Sequence, residues 1–188
     1  SSVFFPNMQA VRERQWLDRS GYTYCLHGTP TSYTLEKQLC TLEGGKHALL
    51  LPSGLAAIAC VNFALLHSGD EVLIPDNAYD PSKSLAEAEL AHWGISYRYY
   101  NALDVSDLEN KISSKTKLVW LEAAGSVTLE FPDLIAQAKL CRSKGILTSL
   151  DNTWGAGLAF NAFDLERTGN TAADALGVDI TVHALTKY

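Results

Sequence analysis

The sequence predicts an α/β fold, a mostly parallel sheet flanked by helices. Short apolar runs typical of buried strands alternate with longer amphipathic stretches typical of helices from Thr31 onward. Two of the helical stretches begin at Ser or Thr and end at Gly, which are favoured at helix starts and just past helix ends. Strands that are joined through helices pair in parallel, and the helices then cover both faces of the sheet.

The first predicted helix and strand follow an irregular, polar and aromatic lead-in over residues 1–23. Residues 31–45 open with capping candidates, carry leucines at helical spacing and end on two glycines, so they predict a helix. The apolar run 47–51 predicts a short buried strand. Residues 53–69 start at a capping Ser and stop at a Gly, which predicts a second helix.

The rest of the chain continues the same alternation. Short apolar runs predict strands over residues 71–75, 95–100, 117–122, 146–151 and 178–183. Amphipathic stretches between them predict helices over residues 81–94, 104–114 and 132–145. The polar residues 165–177, rich in Gly, Asn and Thr, predict a surface excursion before the last strand.

Composition narrows the class of partner. The formal net charge is −6, and nucleic acid or an anionic membrane surface would instead favour a Lys- and Arg-rich face. No apolar run approaches the roughly 18 residues of a membrane span, and the first residues lack the pattern of a signal peptide. The four cysteines show no metal-ligand spacing, and Cys40 and Cys60 are expected to be buried thiols. These features predict a cytoplasmic protein without a metal site.

Candidate functional residues lie in the turns that follow strands, because ligands of such sheets bind beyond the carboxyl ends of the strands. Ser53 and Gly54 follow a predicted strand and start a helix, where free backbone N–H groups can bind an anion; a plain helix cap is the alternative. Asp151 ends another apolar strand, as either a carboxylate in need of a cation or a turn residue.

Two further turns carry an aromatic ring and an amine. Tyr79 follows the 71–75 strand, where its ring can stack on a flat ligand or lie on the surface. Lys187 follows the last strand, as either a solvated charge or an amine that forms a Schiff base with an aldehyde. An anion site, a carboxylate, an aromatic and a lysine at one sheet edge together fit pyridoxal 5′-phosphate (PLP).

Several motifs carry a resemblance to a known family. "YCLHGTPTSYTLEKQLCTLEGGKHALLLPSGLAAI", "PDNAYDPSKSL", "DNTW" and "HALTKY" resemble the Cys/Met-metabolism family of PLP-dependent enzymes, which have the aspartate-aminotransferase-like fold. The likeness runs from about Tyr24 to the end of the chain. Within that family, "LPSGLAAI", "EAAGSVTLEF" and "DNTWGAGLAF" are most similar to the bacterial cystathionine β-lyases.

The resemblance implies a role for each site residue. Lys187 would hold the cofactor and move the substrate α-proton, Asp151 would contact the pyridine nitrogen, and Tyr79 would stack on the ring. The phosphate would be bound by the N–H groups of Gly54 and Leu55 and by the Thr186 hydroxyl. Tyr24 would reach into the site of a neighbouring subunit, which implies a homodimer or a dimer-of-dimers homotetramer.

The implied reaction is an α,β-elimination on a small sulfur-containing amino acid. Cystathionine would give homocysteine, pyruvate and ammonia. A γ-lyase or an O-acylhomoserine sulfhydrylase of the same family is the nearest alternative. A non-catalytic relative that keeps the fold as a regulatory partner is an alternative of another class.

This chain departs from the family pattern at three places. Leu26 replaces an arginine that contacts the partner subunit's phosphate, and the adjacent His27 points the other way in an extended segment. Ala184 replaces a serine. The chain stops one residue after Lys187, whereas the family continues into a C-terminal small domain. The expected organisation is therefore an arm over residues 1–30 that contacts a partner subunit, followed by an incomplete PLP-binding domain over residues 31–188.

Overall fold

The computed structural model describes residues 3–15, 21–169 and 175–187. The chain divides into two compact units, one of residues 1–50 and one of residues 51–188.

The first unit contains two helices, α1 (Met8–Arg12) and α2 (Pro30–Glu43). The short α1 lies inside the predicted irregular lead-in, where the Asn7 side chain accepts a hydrogen bond from the Ala10 N–H at 2.8 Å. The predicted start and end of α2 are confirmed, since Thr29 and Ser32 form a capping box and Gly44 ends the helix with φ 76°.

The strand predicted over residues 47–51 is wrong. These residues carry no strand assignment, and Leu49 is 60% exposed. The Leu50 N–H donates to the Glu36 carboxylate at 3.2 Å instead of to a neighbouring strand. An apolar run becomes a strand only where a ladder partner accepts its backbone hydrogen bonds, and periodicity does not reveal that partner.

The second unit is a five-stranded parallel sheet with helices between the strands. Its elements are α3 (Gly54–Leu65), β1 (Glu71–Pro75), α4 (Asp80–Leu85) with a following π-helical turn (Ala86–Leu90), β2 (Ser96–Tyr100), α5 (Val105–Lys111), β3 (Thr116–Glu122), α6 (Leu134–Ser143), β4 (Leu147–Asp151) and β5 (Ile180–Val182). The strand order is β2-β1-β3-β4-β5, and every neighbouring pair is parallel. The predicted fold class is confirmed.

Two hydrophobic clusters cover the two faces of this sheet. Successive strand residues point to opposite faces, so Val72 and Ile74 belong to one cluster and Leu73 to the other. Ile58 of α3 packs in the first cluster, and Leu134 of α6 packs in the second. The sheet is therefore buried on both faces, as the apolar strands predict.

The predicted surface excursion over residues 165–177 is only partly described, because residues 170–174 lie outside the described residues. Ala175 and Leu176 are 1% and 7% exposed. The Leu165 N–H donates to the Leu176 carbonyl at 2.8 Å, and Arg142 donates to the Ala175 carbonyl at 2.8 Å. The end of the segment is therefore core rather than surface, because hydrogen bonds return it to α6.

Some properties concern the chain as a whole. No helix among the described residues is long and apolar enough to span a bilayer. Within the same residues, no group of three His, Cys, Asp or Glu side chains is placed to hold a metal ion. All four cysteines are free thiols, but Cys40 and Cys60 are half-buried rather than buried.

Candidate active site

The carboxyl ends of three neighbouring strands define the candidate site. Glu122 of β3, Asp151 of β4 and Val182 of β5 lie side by side in the register of the sheet. The turn that follows β5 carries Thr186 and Lys187, both of which are exposed. Chain order alone places these residues far apart, and the parallel pairing brings them to one edge.

The start of α3 lies against the turn after β5. Ser53 caps the helix, and its side chain accepts a hydrogen bond from the Ala56 N–H at 3.0 Å. A Cβ atom at Gly54 would lie 2.9 Å from the Ala184 Cβ, so only glycine permits this approach. The N–H groups of Gly54 and Leu55 belong to the first turn, which has no acceptors within the helix. Ser53 is thus a helix cap at a site suited to an anion.

Lys187 is held through its backbone. Its N–H donates to the Ala184 carbonyl at 3.0 Å, which closes the turn after β5. The side chain is exposed at the sheet edge that carries Asp151. This position leaves the amine accessible to a ligand.

Asp151 is a half-buried carboxyl group at the end of β4. Its Oδ1 accepts hydrogen bonds from the Thr153 N–H at 3.1 Å and from the Thr153 hydroxyl at 2.6 Å. Burial raises the pKa of Asp151, although these two hydrogen bonds and the nearby His183 oppose that effect. The ion pairs among the described residues do not include Asp151. A cationic donor would therefore stabilise its ionised form.

Tyr79 lies in the predicted turn after β1. It precedes α4, and its side chain is 40% exposed, so one face of the ring is available to a ligand. Its N–H donates to the Glu122 Oε2 at 2.9 Å. That bond ties the Tyr79 turn to the strand end beside Asp151.

Sequence reasoning missed Glu122. This buried residue ends β3, and burial raises its pKa to about 7, helped by the charge of Asp151 and opposed by hydrogen bonds from Tyr79 and Ser126. The signal was present in the sequence, since Glu122 ends an apolar strand just as Asp151 does. Thr153 was missed too, and its hydroxyl contacts both Asp151 and the backbone N–H of Ala184.

Tyr24 lies in the first unit rather than beside the other predicted site residues. Its side chain is 57% exposed, and its ring lies edge-on to His27 with centroids 5.9 Å apart. Leu26 is 81% exposed. Both side chains are therefore accessible on the surface of their unit.

The residues of the second unit fit PLP. The free N–H groups at the start of α3 suit its phosphate, and Asp151 offers a half-buried carboxylate without an ion-pair partner among the described residues to its ring nitrogen. Tyr79 has an accessible ring for stacking, and Lys187 has an accessible amine for the aldehyde. The close contact between Gly54 and Ala184 places the phosphate end and the lysine turn together.

Comparison with known proteins gives the same result. The model of the Cys/Met metabolism PLP-dependent enzyme family matches residues 1–188. Cystathionine beta-lyase MetC of Escherichia coli is 32% identical over 100% of this chain and 46% of its own length. An L-alanine/L-glutamate racemase of Wolbachia pipientis is 35% identical over 89% of this chain and 38% of its own length.

A solved structure extends the likeness to the fold. The metY protein of Campylobacter jejuni, assigned as an O-acetylhomoserine (thiol)-lyase, was solved with N′-pyridoxyl-lysine-5′-monophosphate. It matches 100% of this chain and 44% of its own with a TM-score of 0.85 and 26% identity. The chain thus spans less than half the length of these relatives. It belongs to the Cys/Met metabolism family of PLP-dependent enzymes.

Proposed function

We propose that the protein is a PLP-dependent carbon–sulfur β-lyase that cleaves cystathionine or a related cysteine thioether. The products with cystathionine are homocysteine, pyruvate and ammonia. The observation that carries the proposal is the meeting of Asp151, the start of α3 and the Lys187 turn at one sheet edge. The name of the Escherichia coli relative supports the choice of reaction.

Each residue has one task in this proposal. When bound, PLP supplies electron withdrawal from the substrate α-carbon. Lys187 holds the cofactor and moves the α-proton, while Asp151 keeps a proton on the ring nitrogen. Tyr79 stacks on the ring, and Gly54, Leu55 and Thr186 bind the phosphate.

The relatives suggest other outcomes at the same site. A racemase and an O-acetylhomoserine (thiol)-lyase are among the proteins that this chain resembles. Lyase and racemase chemistry both begin with loss of the substrate α-proton, so the placement of Lys187 and Asp151 supports either. The products distinguish these reactions.

The test uses the full-length protein with PLP and cystathionine. We expect a cofactor absorbance band that Lys187→Ala abolishes, together with release of pyruvate and homocysteine. Lys117→Ala is the matched control, because Lys117 is an exposed lysine of β3 remote from the strand ends. Release of 2-oxobutyrate and cysteine would instead indicate a γ-lyase, and racemisation of L-alanine without elimination a racemase. A colourless protein that Lys187→Ala leaves unchanged would support the non-catalytic alternative.

We further propose a homodimer or homotetramer whose sites are shared between subunits and which works in the cytoplasm. The exposed Tyr24 ring supports the sharing, and the four free thiols suit a reducing compartment. Mixing the inactive variants Tyr24→Phe and Lys187→Ala under conditions of subunit exchange should restore part of the activity. No recovery, despite exchange shown by native mass spectrometry, would contradict the shared site.

A further inference from the structure

One hydroxyl group connects two parts of the candidate site. The Thr153 hydroxyl donates to Asp151 Oδ1 at 2.6 Å and accepts a hydrogen bond from the Ala184 N–H at 3.0 Å. Because the Ala184 N–H occupies a lone pair of the hydroxyl oxygen, the hydroxyl proton is free to point at the carboxylate. The two contacts are thus compatible and reinforce each other.

Ala184 transmits this connection to the rest of the site. Its carbonyl accepts the Lys187 N–H at 3.0 Å, and its Cβ lies against Gly54 at the start of α3. Thr153 is therefore one hydrogen bond away from the carboxylate and one from the residue that anchors the lysine turn.

We propose that Thr153 is a positioning residue, whose hydroxyl holds the Asp151 carboxylate and the Lys187 turn at a set spacing for PLP. This inference rests on the proposed function. The hydroxyl can be separated from the local turn, because the Thr153 N–H also donates to Asp151 Oδ1, at 3.1 Å. A side-chain substitution leaves that backbone contact in place.

The test measures PLP dissociation constants of the full-length protein across pH 5 to 9. Thr153→Val removes the hydroxyl and keeps the shape, and Thr153→Ser keeps the hydroxyl. We expect Thr153→Val to weaken binding about tenfold, as for loss of a hydrogen bond to a charged group. Thr153→Ser should remain near the native value.

The pH profile separates this role from simple packing. Without the hydroxyl, Asp151 is a weaker acid, so the acidic limb of the binding profile should move to higher pH in Thr153→Val. Glu122 and His183 also face Asp151. Both are present in every variant, so a difference among the variants reports on Asp151.

Thr148→Val is the matched control. The Thr148 hydroxyl donates to Asp179 at 3.0 Å and accepts the Asp179 N–H at 3.2 Å, the same pattern at the other end of β4. This variant should lose stability without a change in the pH profile of PLP binding.

Two outcomes would overturn the inference. Native affinity and an unshifted profile in Thr153→Val would do so while the proposed function stands. Equal losses in Thr153→Val and Thr153→Ser would show that the methyl group or the packing matters instead of the hydroxyl. If the native protein does not bind PLP, the proposed function fails, and this inference fails with it.

Discussion

Glu122 and Asp151 are neighbours in the sheet, and both have a raised pKa because burial disfavours their charged forms. Carboxyl groups with such values are typical of functional sites rather than of stable ion pairs. Glu122 keeps its place by accepting the Tyr79 N–H, and Asp151 keeps its place through Thr153. At the scale of single residues, the site stores unfavourable burial that a cationic ligand would relieve at Asp151.

Glu122→Gln should change how stability depends on pH. The folded-state pKa of about 7 exceeds the ordinary value of 4.5, so the stability present below pH 4.5 is lost as pH rises through 7. Glutamine has no charge to bury, and its carbonyl oxygen can still accept the Tyr79 N–H. We expect equal stability of the two proteins near pH 4, and an advantage for the variant of up to about 3 kcal/mol above pH 7.

Urea unfolding of the native protein and of Glu122→Gln between pH 4 and 9 measures this difference. Glu87→Gln is a suitable control, since Glu87 hydrogen-bonds Tyr99 in an exposed contact away from the strand ends. Parallel stability curves for native protein and Glu122→Gln would contradict the raised pKa.

Leu26→Arg should strengthen cofactor binding. An arginine at this exposed position would offer a charge-assisted contact to a phosphate dianion of the neighbouring site. Dissociation constants of PLP for the native protein and for the variant measure the effect, and Leu49→Arg, also exposed in the first unit, controls for added charge. Equal constants for native protein and Leu26→Arg would refute the expectation.

The residues that sequence reasoning found and missed differ in kind. Asp151, Tyr79 and Lys187 each stand out in a turn after an apolar strand, so their types and positions were readable. The role of Thr153 depends on a contact with Ala184, 31 residues away along the chain. A contact of that range has no local signal, because only the pairing of β4 with β5 creates it.

At the scale of elements, α3 and the turn after β5 form the phosphate end of the site. Ser53 caps the helix, and Gly54 lets Ala184 approach. A second contact holds α3 on the sheet, where the buried Asn62 side chain accepts the Trp120 indole N–H at 3.0 Å. The helix start is therefore fixed both along the helix and against β3.

Gly54→Ala should weaken PLP binding more than it affects folding. The added methyl group would lie 2.9 Å from the Ala184 Cβ and would displace the Lys187 turn. We expect about a tenfold increase in the PLP dissociation constant, equivalent to about 1.4 kcal/mol. Equilibrium binding to the cofactor-free protein measures it.

The double variant Gly54→Ala with Ala184→Gly should recover most of the binding, because it removes the atom that the new methyl group would meet. Gly21→Ala is the control, since no atom lies within 4 Å of the added Cβ there. Unchanged binding in Gly54→Ala would show that the helix start tolerates a wider gap.

Element prediction succeeded where the chain carried its own punctuation. The start of α2 was readable from its capping residues, and β1 coincides with the predicted range 71–75. The run 47–51 failed because its sequence resembles a strand while its backbone hydrogen bonds go elsewhere. Local patterns state what a segment can do, and its partners decide what it does.

At the scale of the whole second unit, the two ends of the sheet differ in their electrostatics. Glu71 starts β1 and accepts hydrogen bonds from Arg98, Thr116 and Ser113. Burial alone would raise the pKa of Glu71, but these hydrogen bonds together lower it. One end of the sheet thus holds an ionised, fully partnered carboxylate, and the other end holds two carboxyl groups with raised pKa values.

Glu71→Gln should destabilise the protein at neutral pH, the opposite of Glu122→Gln. The folded-state pKa of Glu71 lies below its ordinary value, so its contribution is present above pH 4.5 and is lost as pH falls through the folded pKa. We expect a loss of about 1–3 kcal/mol at pH 7, typical of hydrogen bonds to a charged group, which disappears in acid. Urea unfolding at several pH values measures it, and a loss that is constant with pH would contradict it.

The strand and helix sequence, the parallel sheet and the candidate residues Asp151, Tyr79 and Lys187 follow from local patterns, because burial on two faces and helix capping leave regular marks in a chain. The strand order, the approach of Ala184 to Gly54 and the hydrogen bonds of Glu122 and Thr153 do not follow from such patterns. They arise when distant segments pair, and the burial that raises the pKa values of Glu122 and Asp151 exists only in the folded sheet.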